Sequence, residues 1–289
     1  MRKLFALLAV LATALALGLT PAGAITDGVP DQEGHPYVGL MVAQTAAGIP
    51  LFRCSGTLVS PTHFLTAGHC TADEPGLDVA RVEIWFDSGY PTPIPLGAGY
   101  PAAGSNPCAG ITGYPCTGDI SGTPFAHPEY DPNAFFLHDL GVVVLDEAID
   151  RGGLGVLPEL NQLDALKTQR GKQDTTFTAV GYGLQKSFPD AASWKTQAFR
   201  TRYVAYPKLI QINGGLVGDY SLLLSNNAHT GGTCFGDSGG PNFIGDSNVI
   251  AGVTSFGLNG NCAGTGGVYR VDKADDLNWL ATFGLTPPA

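Results

Sequence analysis

Glycine and proline together fill about one position in five, 40 and 21 of 289 residues. Glycine weakens a helix interior and proline breaks it. A chain so punctuated cannot be built from long helices, and with 44% hydrophobic residues it points to many short strands joined by tight turns. The glycines follow no G-X-Y period, which excludes collagen. Charged residues make up 14%, against a usual share of about 25%. That is too few for a coiled coil or a charge-rich disordered chain. The net charge of -10 argues against a nucleic-acid surface, which must be basic. The length allows one large β domain or two smaller ones.

The first residues are read as targeting, not folding. Arg2 and Lys3 precede an apolar run from Leu4 to Leu19, and Ala22-x-Ala24 is a small-residue cleavage signal. The run is short of the roughly 20 residues that a membrane span needs. Residues 1–24 are therefore expected to be a cleaved signal peptide, and residues 25–289 the secreted, extracellular protein. Removing two bases and no acids moves the net charge from -10 to -12. No membrane attachment is expected after cleavage. The six cysteines, Cys54, Cys70, Cys108, Cys116, Cys234 and Cys262, are an even set in an exported chain and read as three disulfides. Zinc is disfavoured, because there is no C-x2-C pair and His69-Cys70 are adjacent. No metal and no cofactor is expected, and no clear carboxylate-rich calcium loop is visible. Proximity along the chain suggests Cys54–Cys70, Cys108–Cys116 and Cys234–Cys262, with other connectivities still open.

Short β-prone runs recur at Tyr37–Ala43, Cys54–Val59, Val82–Phe86 and Leu140–Leu145. They return at Thr175–Tyr182, Phe199–Tyr206, Leu222–Leu224, Val249–Phe256 and Gly267–Val271. The less β-like Asp146–Lys172 reads as a linker between two halves. Asp87–Pro124 reads as a long Gly/Pro-rich loop. Asp272 is placed to cap a terminal helix over Lys273–Phe283.

Three words carry chemistry. Gly236-Asp237-Ser238-Gly239-Gly240-Pro241 puts a serine among glycines, where a carbonyl can approach and backbone N–H groups can meet it. Leu65-Thr66-Ala67-Gly68-His69-Cys70 carries a histidine. His138-Asp139-Leu140-Gly141-Val142 leads an acid into a buried strand. Each alone would be weak. Together, in the order His, Asp, Ser, they resemble the motifs of chymotrypsin-like (trypsin-family) serine proteases. Ser55-Gly56-Thr57-Leu58-Val59, His127-Pro128-Glu129-Tyr130-Asp131, Val180-Gly181-Tyr182-Gly183 and Gly267-Val268-Tyr269 extend the resemblance over roughly residues 25–283.

The resemblance implies an all-β fold of two six-stranded antiparallel barrels with the active site between them and a short C-terminal helix. The first barrel would cover 25–150, the linker and second barrel 151–271, and the helix and tail 272–289. It implies Ser238 as nucleophile, His69 as general base and Asp139 as its partner. Gly236 and Ser238 would supply the oxyanion hole, and Ser255 would support Asp139. Cys54–Cys70 and Cys234–Cys262 fit the family, while Cys108–Cys116 has no obvious counterpart in it. Gly232 would lie at the base of the primary specificity pocket, with Thr233, Ser255, Phe256, Gly257 and Gly267 around it. A base without an acid implies apolar P1 side chains, large ones favoured. Phe256 stands where tryptophan is commoner. Ile25 would become the amino terminus and pair with Asp237, although Thr26 and Asp27 depart from the family's usual start. His35, His63, His127, His138 and His229 are read as structural. Asp131 and Asp146 have weaker claims than Asp139. Polypeptide substrates, protein inhibitors and a monomer follow from the resemblance. A binding module would be expected to lose a triad member, and an α/β-hydrolase esterase would run Ser, Asp, His.

Overall fold

The computed structural model describes residues 25–73, 76–134, 136–168, 174–185, 199–213 and 218–288; the expected signal segment lies outside them. Fourteen strands and one α-helix are named here. The first β unit follows the two-residue strand β1 (Val29–Pro30). It consists of β2 (Val38–Gln44), β3 (Pro50–Ser60), β4 (His63–Thr66), β5 (Arg81–Trp85), β6 (Ile120–Ala126) and β7 (Gly141–Leu145). They close a barrel in the order β2-β3-β4-β7-β6-β5 with every pairing antiparallel. Met41, Leu58, Phe64, Leu65, Val82, Ile84 and Val142 fill it. Closure removes the open edges that a strand-rich chain would otherwise expose.

The second unit comprises β8 (Phe177–Gly181), β9 (Tyr203–Ala205), β10 (Leu209–Ile212), β11 (Ser221–Asn226), β12 (Pro241–Ile244), β13 (Ile250–Gly257) and β14 (Gly264–Arg270). With β1 they form one eight-stranded sheet, β1-β9-β8-β12-β13-β14-β11-β10. Six strands at its centre match the expected second barrel. The flanking β1 and β10 make this sheet open in its hydrogen bonding, where a closed six-stranded ring was expected. Phe177, Leu222, Ala251 and Val268 pack on its inner face.

Helix α1 (Ala274–Ala281) closes the chain and buries Leu280. Its N-cap is Lys273, not Asp272. Asp272 is diverted inward, where it accepts from Arg270 Nε and Nη2 at 2.8 Å each and from the Leu163 N–H at 2.8 Å. A buried guanidinium outcompetes a helix terminus for a carboxylate. Asp272 thereby ties the expected linker, which carries a 3-10 turn at Gln162–Thr168, to β14.

Two buried arrangements lock the units together. Arg202 is fully buried and donates to Asp31 Oδ2 (2.7 Å), the Val38, Phe86 and Gln32 carbonyls, and the Tyr182 hydroxyl. Burial alone would raise Asp31, but His35 and Arg202 hold its carboxyl below the usual range. The long loop after β5 is the second lock. It is stapled by Cys108–Cys116, and Tyr114 stands edge-on to Trp85 at 5.2 Å while Arg200 lies over the Tyr114 ring. The Ile94 N–H donates to the Arg200 carbonyl, Arg200 Nε donates back to the Ile94 carbonyl, and the Tyr182 O–H reaches the Asp87 carbonyl at 2.9 Å. Its last part, expected to be loop through Pro124, is already strand β6 from Ile120.

Candidate active site

Each word lands at the seam of the two units. His69 sits on a single 3-10 turn, Gly68–Cys70, directly after β4, and the Cys54–Cys70 disulfide ties that turn to β3. Asp139 precedes β7, the strand paired with β4, so register brings the two together. The Asp139 carboxylate is fully buried. It accepts from the His69 backbone N–H at 2.8 Å, and His69 Nδ1 stands 3.1 and 3.0 Å from its two oxygens. On the other side the Ser255 hydroxyl of β13 donates to Oδ2 at 2.5 Å. With the Nδ1 proton directed at the acid, the imidazole carries its lone pair at Nε2.

Ser238 enters from the loop before β12. His69, Ser238, Ser255, Phe256 and Thr233 line one cleft of about 260 Å³. Ser55 of β3 bolts the nucleophile loop to the first barrel. Its N–H donates to the Ser238 carbonyl at 2.7 Å, and its hydroxyl donates to the Gly236 carbonyl at 2.9 Å and accepts from Tyr182 N–H. Among the described residues, no acceptor takes up the Gly236 or Ser238 N–H. Gly236 is held at φ +93°, a conformation that favours glycine. The Cys234–Cys262 disulfide braces the same loop, so all three disulfides join cysteines adjacent in the sequence.

Asp237 is the second buried acid of the site. Its carboxylate accepts from the Gly183 N–H at 2.7 Å and the Cys234 N–H at 2.9 Å. A Cβ on Gly181 or Gly183 would fall 2.3–2.5 Å from that carboxylate, which explains both glycines of the Val180–Gly183 word. Burial pushes Asp237 up to about 7, against the pull of the two amides and Arg53. Ile25 is also fully buried, packed with Ala179, Tyr203 and Ala205. The next residue reaches the expected pocket base: the Gly232 N–H donates to the Thr26 carbonyl at 3.0 Å.

The pocket differs from its expected outline. Gly232 carries no charge there, and a Cβ on it would collide with Asn226. Gly257 is open. Gly267 is not, because a Cβ there would meet three Phe256 ring atoms at 2.4–2.5 Å. Phe256 is thus more than a substituted wall; its ring fills space that Gly267 was expected to leave empty. Sequence reading also missed Asn226, whose amide donates to the Thr233 carbonyl at 2.8 Å and accepts from the Thr26 hydroxyl at 2.6 Å. It missed Phe235, an exposed ring at the mouth, and the part that Ser55, quoted only as the start of the Ser55–Val59 word, plays in holding the nucleophile loop. None of the three stands out from an apolar or turn-rich stretch. Cys54 and Cys70 lie near His69 but are disulfide-bonded, so they offer a metal nothing.

Comparison with known proteins gives the family and the fold. The family model described as Trypsin matches residues 111–277, more than half of the chain. A CLIP domain-containing serine protease B14 of Anopheles gambiae is 28% identical over 251 residues, 79% of this chain and 63% of that protein. Kallikrein-1E2 of Equus caballus is 25% identical over 240 residues, 79% of each chain. The chain thus spans less than two thirds of the first of these relatives. Among solved structures, a collagenase superposes with TM-score 0.63 at 18% identity, covering 91% of this chain and all of that one. Human heparin binding protein does so with TM-score 0.57 at 19% identity, covering 92% and 100%. At such identities the structural likeness speaks to the fold alone.

Proposed function

Since the chain belongs to the trypsin family of serine proteases, we propose that it is a secreted endopeptidase that cleaves polypeptides through Ser238, His69 and Asp139. The observation that carries this reading is Asp139, buried between the His69 imidazole and the Ser255 hydroxyl at the wall of the cleft that Ser238 enters.

Ser238 Oγ attacks the scissile carbonyl carbon while His69 Nε2 takes its proton. The carbonyl oxygen becomes an oxyanion facing the Gly236 and Ser238 N–H groups. Loss of one such donor costs about 10²–10³ in kcat elsewhere. The imidazolium then protonates the leaving amine, leaving an acyl-enzyme that water hydrolyses by the reverse sequence. Asp139 keeps the proton on Nδ1 and balances the imidazolium charge.

An apolar P1 side chain is favoured, because the lining of the cleft holds no carboxylate. Phe256 sets the length limit. Phe256→Ala is expected to raise kcat/KM for P1 Phe over P1 Val by at least about tenfold, the lower end of the scale for one methylene in an apolar pocket. A P1-varied peptide library measures this; best cleavage after Arg or Lys would reject the reading.

Activation is proposed to follow removal of residues 1–24. Ile25 has φ +53°, and holding a β-branched residue there costs about 1–3 kcal/mol. That torsion is defined by the carbonyl of residue 24, so cleavage releases the strain and frees an ammonium that this reading pairs with Asp237. Amino-terminal sequencing of the active secreted form is expected to start at Ile25. Labelling by an organophosphonate, abolished in Ser238→Ala, tests the enzymatic reading as a whole; persistent labelling of that variant would overturn it.

A further inference from the structure

A cation without a partner stands beside the oxyanion hole. Arg53 sits on β3 opposite Val42 of β2, and two residues later Ser55 holds the nucleophile loop. Arg81, Arg151, Arg202 and Arg270 each hold a carboxylate, and Arg200 lies over the Tyr114 ring. Arg53 forms no ion pair and no hydrogen bond among the described residues. That is unexpected in a chain with 25 acids and 15 bases.

Its guanidinium lies against the turn at Gly236. A Cβ on Gly236 would stand 3.3 Å from Arg53 Nε and 3.5 Å from Nη2, with Gly183 Cα at 3.1 Å. Arg53 is half-buried, and its field pulls the buried Asp237 down against burial. The side of the cleft that it occupies follows from the reaction. The P1 side chain enters the space between Thr233, Phe256 and Gly257, whose lining does not include Arg53. The leaving amine departs on the side of His69, which protonates it. Cys54 follows Arg53, Cys70 follows His69, and the disulfide between them spans 6.3 Å from Cα to Cα. Arg53 therefore flanks the histidine side of the scissile bond. An extended residue advances about 3.3–3.6 Å, so the first or second residue beyond the bond comes within reach of the guanidinium.

We propose that Arg53 reads the leaving half of the substrate and selects an aspartate or glutamate one or two residues beyond the scissile bond. The inference rests on the endopeptidase reading of Ser238, His69 and Asp139. A guanidinium offers planar donors that match a carboxylate, and among the described residues no acid of this chain takes them up. The net negative charge repels acidic polypeptides at long range, so the selection is local. It fixes which bond of a bound chain lies over Ser238. An Arg53 that served only Asp237 would instead change the rate for every substrate alike.

The test uses the processed full chain. Its substrates are amidated peptides extended well past the bond and identical except for Glu, Gln or Lys at one of the two positions. At the better position kcat/KM for Glu should exceed that for Gln by about fivefold, expressed mostly in KM, and Lys should fall below Gln. Added salt should shrink the ratio. In Arg53→Gln the ratio of Glu to Gln should collapse to about one, and Arg53→Lys should keep part of it. An arylamide with the same P1 residue has no amino acid beyond the bond. If Arg53→Gln slows that substrate as much as it slows the Glu peptide, Arg53 acts through Asp237 and the proposal is overturned. Equal cleavage of the Glu and Gln peptides by the unmodified enzyme would overturn it too, while leaving the endopeptidase standing. No cleavage of any peptide would overturn both readings.

Discussion

Asp139 and Asp237 are both fully buried carboxylates of one site, and they are satisfied in opposite ways. Asp139 receives a backbone N–H, the imidazole of His69 and the hydroxyl of Ser255. In the proposed mechanism one of those donors, the imidazole, becomes a cation. Asp237 receives two backbone amides, and burial still pushes it up to about 7. A fully buried carboxylate whose pKa rises despite two hydrogen bonds and the pull of Arg53 is short of counter-charge. The first acid has its full set of donors as folded, and the second fits the proposal that a charge reaches it after processing.

The largest effect should therefore be blind to processing. Asp139→Asn leaves the imidazole with the wrong tautomer, and kcat should fall by about 10⁴-fold, as in a related triad. Steady-state rates of the processed enzyme measure it. A loss below tenfold would mean that Asp139 merely fills space.

Asp237→Asn should behave oppositely in the two forms. In the processed chain it removes the partner of the Ile25 ammonium and disorders the Gly236 amide, so kcat should fall by about 10²–10³. In the unprocessed chain it should stabilise. There the folded carboxyl ionises near 7 and the unfolded one near 3.8. The folded state thus prefers the protonated acid. Stability from this group is full below pH 4, is lost as pH rises to about 7, and stays low above it. The gap between folded and unfolded acid corresponds to roughly 4 kcal/mol, of which the neutral amide should recover a part at pH 8, since its NH₂ cannot accept the second backbone N–H. Denaturant unfolding of the unprocessed chain at pH 4 and pH 8 checks this. Equal destabilisation of both forms by Asp237→Asn would break the comparison.

Ser255→Ala trims one donor from Asp139 and leaves the others. A hydrogen bond to a charged group contributes about 1.5–3 kcal/mol, so kcat should drop by roughly 10–100-fold with KM little changed. An unchanged kcat would show that the two His69 contacts alone hold the acid.

Much of this site was legible from residue order, because the triad words are local and their spacing survives folding. Gly-Asp-Ser-Gly, Ala-Gly-His-Cys and the acid before β7 each name a turn that only those residues make. The strands were less legible. The four residues of β4 and the exposed face of β10 are too short or too mixed for alternation to declare them. β12 begins at Pro241, an atypical first strand residue that still fits because proline lacks only a donor. The N-cap assigned to Asp272 failed because Arg270, two residues away, is buried and needs that carboxylate. The open pocket failed for a related reason. A vacant glycine in sequence says nothing about which neighbouring ring will turn into the space, and Phe256 does so against Gly267. Charge pairing and ring packing across hundreds of positions are tertiary facts.

The smallest effect lies on the Asp237 side, at Thr26. Its hydroxyl stands 2.6 Å from Asn226 Oδ1 and 3.1 Å from the Gly232 carbonyl, while Asn226 holds the Thr233 carbonyl. The segment that carries Ile25 thus reaches the pocket through a side chain, beyond its main-chain contact with Gly232. Thr26→Val keeps the shape and removes the donor, leaving a buried amide oxygen unsatisfied at a cost of about 1–3 kcal/mol. In the processed enzyme kcat/KM should fall by about 5–10-fold, expressed mostly in KM because the triad is untouched. Thr26→Ser should restore it. The unprocessed chain should lose stability by the same variant without any change in its pH dependence between pH 4 and pH 8, since Asp237 keeps both its amides. If Thr26→Val instead lowered kcat with KM constant, the amino-terminal segment would be acting on the oxyanion hole alone, and the link to the pocket base through Asn226 would be wrong.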